Sequence, residues 1–335
     1  MLLVMAYFFS ILLTTLVLFS ALIFPTPVIA AQTQTNTCPD AMAWIPGGTF
    51  RMGSDDFFPE EKIVESVTVD GFCLEKTEVT NAQFAEFVKA TGYVTVAERP
   101  LSKKQFPELP DDQRLPGSLV FAMPSPEETE VPMLSWWHWL PGADWRHPQG
   151  PDSDIQGKEN YPVVQISYED AKVYADWAGK QLPTEAEWEL AGRGGLTDQV
   201  FGWGNTYSAK KANTWQGRFP FENQQRDGYA GTAPVASFPP NAYGLYDMTG
   251  NVWEWTADWY SVERDNMAHQ HNPQGPIESE SFDPREPDGP KHVIKGGSYL
   301  CAKNYCSRYR PAARESQSPD TGTTHIGFRL ASHPV

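Results

Sequence analysis

Two thiols, Cys301 and Cys306, sit in the run Gly296-Gly297-Ser298-Tyr299-Leu300-Cys301-Ala302-Lys303-Asn304-Tyr305-Cys306-Ser307-Arg308-Tyr309-Arg310. The chain of 335 residues has only 4 cysteines, so a close pair among Gly, Tyr and Arg residues stands out. The spacing C-x4-C differs from the C-x-x-C of a redox motif or a zinc knuckle. It fits neither one helical face nor one strand face, so the backbone must bend to bring the sulfurs together. Converging thiols can close a small disulfide or hold a soft monovalent metal such as Cu(I). On the pair alone, a structural disulfide is the simpler reading.

Ser298 precedes Cys301 by three positions. A serine nucleophile would need a G-x-S-x-G elbow and a histidine partner, and the sequence offers neither. The 7 histidines form no H-E-x-x-H or H-x-x-x-H pattern, so His147 and His325 read as surface or packing residues. Two further segments carry oxygen donors near turns. Asn213-Thr214-Trp215-Gln216-Gly217 is followed by Asp227-Gly228-Tyr229, and Asp247 and Glu254 stand astride Gly250-Asn251-Val252-Trp253. Calcium takes six to eight oxygens, backbone carbonyls included, so such segments can build a site. Their spacing is not that of an EF-hand, and by themselves they read as turn and capping residues.

The elements that must position these groups are short. Ala43 to Gly53 reads as two strands around Pro46-Gly47-Gly48, and Val64 to Cys73 as another strand. Three capping boxes predict helices: Thr80 with Gln83, Ser167 with Asp170 (stopping at Gly179), and Thr184 with Glu187 (ending at Gly192 and Gly194). The Pro-rich stretch from Thr95 to Tyr161 shows no clear period and reads as ordered surface loops, with Trp136, Trp137, Trp139 and Trp145 seeking burial. With 26 Gly and 29 Pro spread along it, the chain predicts an α+β, loop-rich single domain over residues 38–335 with little regular secondary structure.

Residues 1–31 read as a secretory signal peptide cut near Ala30 or Ala31, or as an uncleaved N-terminal anchor, and residues 32–37 as a linker. Either reading puts the body outside the cytosol, where Cys38 and Cys73 are expected to pair. The location is periplasmic or secreted for a bacterial protein, the ER lumen for a eukaryotic one. The chain has no Asn-x-Ser/Thr sequon and no ER-retention ending, which favours the bacterial case. A net charge of −16 argues against nucleic acid as a partner.

Together these segments resemble the formylglycine-generating enzymes, the sulfatase-modifying factors. The resemblance runs over the mature chain. It includes Glu78-Val79-Thr80-Asn81, Gly142-Ala143-Asp144-Trp145-Arg146-His147-Pro148, Leu182-Pro183-Thr184-Glu185-Ala186-Glu187-Trp188-Glu189 and Gly250-Asn251-Val252-Trp253-Glu254-Trp255. These mark the wider superfamily. The specific mark is the Gly-Gly-Ser-Tyr-x-Cys-x4-Cys-x-Arg-Tyr-Arg run that ends at Arg310.

The resemblance implies a fold with a C-type-lectin-like core. It implies oxidation of a cysteine in Cys-x-Pro-x-Arg of unfolded sulfatases to Cα-formylglycine, with O2, a thiol reductant and Cu(I). Removal of hydrogen from the client Cβ would give a thioaldehyde, which water hydrolyses to the aldehyde with loss of sulfide. Carried onto this chain, Cys301 and Cys306 are the copper ligands. Ser298 lies beside the metal, Tyr305 and Trp253 wall the pocket, and Arg308 and Arg310 are structural. Two structural Ca2+ sites are implied, one at Asn213, Thr214, Asp227 and Tyr229, the other at Asp247, Gly250, Val252 and Glu254.

The chain departs from the vertebrate members at several positions. Ala175 with Leu330 and Gly192 with Pro311 replace two of their disulfides, each pair lost together. Ala302 stands in place of a histidine, and His325 in place of an asparagine near the substrate groove. The rival readings are a non-catalytic lectin-like binding module, a pseudoenzyme with a structural Cys301–Cys306 disulfide, and an iron-dependent sulfoxide synthase. The last needs a His-rich site in an added helical domain, which this chain lacks.

Overall fold

The computed structural model describes residues 37–104, 107–125, 127–264 and 267–334. The signal or anchor over residues 1–31 and the linker up to residue 36 lie outside the described residues. Among the described residues, eleven short strands and three α-helices alternate with long connections. The strands are β1 (Met42–Ile45), β2 (Gly48–Met52), β3 (Val64–Val69), β4 (Phe72–Glu75), β5 (Gly117–Phe121), β6 (Trp137–Pro141), β7 (Trp253–Trp259), β8 (His292–Lys295), β9 (Glu315–Gln317), β10 (Ile326–Gly327) and β11 (Ala331–Ser332). The helices are α1 (Asn81–Thr91), α2 (Tyr168–Trp177) and α3 (Glu185–Arg193). A four-stranded sheet runs β10-β7-β8-β9 and a three-stranded one β1-β4-β11; β2-β3 and β5-β6 are separate ribbons.

Each helix starts where its capping box lies. Thr80 Oγ1 accepts the Gln83 amide at 3.3 Å while Gln83 Oε1 accepts the Thr80 amide at 2.8 Å. Ser167 with Asp170 and Thr184 with Glu187 repeat the exchange. Left-handed Gly92 and Gly194 close α1 and α3. Helix α1 turns Phe84, Phe87 and Val88 into the main core, where they meet Tyr174 and Ala175 of α2. No helix among the described residues is long and apolar enough to cross a membrane.

Three expectations change. The Val64–Cys73 strand is broken at Asp70-Gly71, so β3 pairs with β2 while β4 pairs with β1 and β11. Gly192 lies inside α3, not at its end. The Pro-rich stretch is not all loop: β5 and β6 form an antiparallel hairpin there, with Trp136 and Trp145 buried and Trp139 39% exposed. Aromatic alternation across the hairpin escaped notice because the prolines around it mask the period. Cys38 and Cys73 form the expected disulfide, with Cα atoms 5.6 Å apart.

Buried ion pairs tie the loops to these elements. Arg310 grips Glu61 through two hydrogen bonds of 2.6 Å, Arg314 meets Glu185 at 2.8 Å, and Arg329 meets Glu254 at 2.7 Å. Arg308 pairs with Glu60. The arginines that follow Cys306 are thus bonded into the fold.

Candidate active site

The thiol segment leaves β8 through Gly296 and Gly297, both at positive φ. A Cβ on Gly297 would sit 2.7 Å from Tyr309 Cα, so only glycine lets the chain fold back over itself here. Cys301 N–H then donates to Ser298 O at 2.9 Å. The Ala302 carbonyl accepts from both Tyr305 N–H (3.1 Å) and Cys306 N–H (2.9 Å). This single helical turn is the bend that the C-x4-C spacing demanded. It returns Cys306 to Cys301, and the thiols touch as hydrogen-bond partners.

Both cysteines are free thiols. Cys301 is 2% exposed and lies in the main core, with half-buried Cys306 packed against it. Burial pushes the Cys301 thiol well up, and the neighbouring Cys306 sulfur adds to the rise. The hydrogen bond from Cys301 holds Cys306 below its ordinary value, and the Arg308 amide and charge lower it further. The two sulfurs are therefore unequal: the Cys306 proton is the more easily lost of the pair.

The site is knitted to neighbouring loops by backbone bonds. Trp215 N–H donates to Cys301 O at 3.1 Å, Tyr299 N–H to Asn251 O at 2.9 Å, Gly250 N–H to Gly296 O at 2.9 Å and Trp253 N–H to His325 O at 2.8 Å. Tyr305 stacks on Phe219 at 4.5 Å and meets the edge of Trp136 at 5.4 Å. Trp136, Trp215, Phe219 and Tyr299 form an aromatic floor. Tyr305 is 39% exposed and so offers a wall, whereas Trp253 is buried in the core with Cys301 and supports the site from within.

Ser298 is fully buried, and its Oγ lies 3.1 Å from His325 Nδ1. The serine therefore does have a histidine neighbour, and His325 is more than packing. The contact was invisible in the sequence because 27 residues separate the two. Burial lowers the His325 pKa to about 3, so the imidazole is neutral at pH 7. His147, by contrast, simply meets Asp144 three residues back.

Two thiols suit a soft monovalent metal. Among the described residues no three His, Cys, Asp or Glu side chains converge as a metal cluster. A two-sulfur donor set differs from a four-ligand zinc site.

The oxygen-donor segments do come together. Asp227 accepts from Thr214 N–H at 3.0 Å, Tyr229 N–H at 3.0 Å and Gln216 Nε2 at 2.6 Å. Asn213 Nδ2 donates to Asn251 Oδ1 at 3.1 Å. A Cβ on Gly250 would lie 2.0 Å from Asn213 O, so this glycine permits the two loops to meet. Beneath them Asp247, Glu254 and Glu78 are buried, with Arg329 bonded to Glu254. Burial and the Asp247 charge raise the Glu78 pKa, and burial raises that of Asp247 to about 6. Glu78 Oε2 has no hydrogen-bond partner. The raised Glu78 and Asp247 values lessen the negative charge gathered beside Arg329. Glu78 and Asn251, which donates to Glu78 Oε1 at 2.9 Å, were missed as site residues. Both stand in quoted motif runs, but only burial reveals what they do.

Residues 27–334 match the sulfatase-modifying factor enzyme 1-like domain. The chain belongs to this family. It is 49% identical over 300 residues to the formylglycine-generating enzyme of Mycobacterium tuberculosis, covering 87% of this chain and 97% of that protein. It is also 38% identical to the inactive C-alpha-formylglycine-generating enzyme 2 of Bos taurus, covering 87% of each chain. Among solved structures, PvdO from Pseudomonas aeruginosa aligns with a TM-score of 0.60 at 27% identity, over 88% of this chain and 94% of that one. The family thus includes proteins named as inactive, and the site has to decide between them.

Proposed function

We infer that this protein is a formylglycine-generating oxidase, an oxidoreductase that converts a sulfatase cysteine to Cα-formylglycine with O2 and thiol reductant. The observation that carries this reading is the touching pair of free thiols, Cys301 buried and Cys306 half-buried, beside an aromatic wall. A binding module or pseudoenzyme has no need of two free, adjacent thiols beside exposed Tyr305.

Cys301 and Cys306 would hold Cu(I), which supplies one-electron chemistry and activates O2. The chain's own residues do the rest. The Cys301 thiol, as hydrogen-bond partner, eases loss of the Cys306 proton, which a soft-metal ligand must give up. Tyr305, held flat on Phe219, lines the approach of an unfolded client, and the aromatic floor excludes water. Ser298 offers a hydroxyl three residues before Cys301. The recognised motif is Cys-x-Pro-x-Arg, and the client meets the enzyme outside the cytosol.

Two calcium ions would staple the loops, one held by Asn213, Thr214, Asp227 and Tyr229, the other by Asp247, Gly250, Val252 and Glu254. The unpaired Glu78 Oε2 supports the second. The finer architecture we assign is a C-type-lectin-like core, in keeping with short strands joined by long ordered loops.

The test is mass spectrometry of a Cys-x-Pro-x-Arg peptide incubated in air with reduced, Cu(I)-loaded protein. The loss expected for CH2SH becoming CHO should appear with wild type and vanish with Cys301→Ser. An unchanged peptide would move the assignment to a binding member.

A further inference from the structure

His325 and Ser298 form a contact with a defined chemical sense. Ser298 Oγ accepts the Leu300 amide proton at 3.2 Å, so one lone pair is occupied. Its own proton is free to point at His325 Nδ1, 3.1 Å away. Nδ1 can accept that proton because the half-buried imidazole is neutral at pH 7. The residue is also held at its backbone and at its ring. Its backbone carbonyl accepts from Trp253 N–H, and Trp137 of the β5–β6 hairpin lies against it with ring centres 4.8 Å apart.

We propose that His325 is a positioning residue for Ser298: its Nδ1 accepts the Ser298 hydroxyl proton and so fixes the direction of that hydroxyl beside Cys301. With its proton committed to His325 and one lone pair to Leu300, Ser298 meets anything entering beside the thiols only as a hydrogen-bond acceptor. Without His325 the hydroxyl would be free to rotate; with it, the imidazole must carry its own proton on Nε2. This assignment rests on the oxidase reading for its kinetic consequence, but the contact itself stands without it.

Two measurements test it. The first needs no metal and no turnover: nitrogen-15 NMR of histidine-labelled apo-protein at pH 7, with the His325 signal assigned by its loss in His325→Asn. The Nε2–H tautomer is expected in wild type, and a mixture of tautomers in Ser298→Ala. An Nδ1–H tautomer or an imidazolium in wild type would overturn the proposal. The second is a kinetic cycle with the client peptide, with melting temperatures recorded alongside. Ser298→Ala and His325→Leu are each expected to lower kcat about tenfold with little change in KM. The double variant should lose no more than either single, because the two residues act as one unit. His325→Asn keeps an oxygen near the Nδ1 position and should recover kcat to within about threefold of wild type. Independent, multiplying losses, or an Asn variant as impaired as the Leu variant at equal melting temperature, would refute the positioning role. Should wild type convert no peptide, the oxidase reading fails, and the tautomer alone decides the His325 assignment.

Discussion

Arg310 and Glu61 offer a sharp test of how the thiol segment is held. The guanidinium makes two 2.6 Å hydrogen bonds to the carboxylate, with side-chain exposures of 2% and 0%. Arg310 Nε also donates to the Ser307 carbonyl at 2.9 Å, next to Cys306, and the guanidinium lies 3.6 Å from the Phe57 ring centre. Replacing Arg310 with Met removes one charge and leaves the other buried. Such a loss costs about 3–5 kcal/mol, or roughly 6–12 °C in melting temperature for a domain of this size. The pair as a whole is worth much less, because burying both charges carried its own desolvation cost. Glu61→Met with Arg310→Met should therefore recover most of the stability. The residue left over is the Ser307 bond, about 1 kcal/mol. Urea denaturation of the four proteins at pH 7 measures the coupling directly. The double variant should be stable yet slower on the client, since Ser307 has lost its anchor beside Cys306. Single variants that cost under about 1 kcal/mol, or a double variant whose loss is the sum of the singles, would refute the reasoning.

Three further outcomes are expected. Burial, aided by the Glu185 charge, raises Asp258 to about 8. Its folded value exceeds its unfolded one, so its contribution to stability is full below about pH 4 and is lost as pH climbs towards 8. Asp258→Asn, which keeps an acceptor for the Glu185 amide, should gain on wild type by up to ~1.4 kcal/mol per pH unit across that window. Equal pH slopes in urea melts at pH 5 and pH 8 would contradict this. A Cβ built on Gly192 lies 3.5 Å from Pro311 Cβ, within disulfide range. Oxidised Gly192→Cys with Pro311→Cys should close a bridge and raise the melting temperature above that of its reduced form, and thiol titration would expose a failure to close. Added Ca2+ should raise the melting temperature and a chelator reverse it, with a smaller response in Glu78→Gln; identical responses would remove Glu78 from the cation site.

What could be read ahead of the structure follows the range of the interactions. The three helix starts depend on residues three apart, and each was readable from its capping box. The thiol bend depends on five neighbouring residues and was foreseen in kind. The family was readable because its specific run lies within fifteen positions ending at Arg310. The break of Val64–Cys73 into two strands was not, since β4 is claimed by two distant partners, β1 and β11. His325 looked inert because its partner, Ser298, lies on the far side of the thiol turn and β9 in the sequence. Glu78 looked like a residue before a helix cap because its role depends on Asp247, which joins it only through the fold. Trp139 was expected inside but sits on the exposed side of a short hairpin.

The unequal burial of the two thiols has a consequence for anything that attacks them from solvent. A bulky alkylating reagent meets Cys306 half-buried with its pKa lowered, and Cys301 2% exposed with its pKa raised by burial. With Cys38 and Cys73 already bonded, the folded protein should behave towards such reagents as a molecule with one reactive sulfur. A second label would enter only when the core around Cys301 opens. The order of labelling thus turns the site into a built-in reporter of its own unfolding, readable by mass without any substrate.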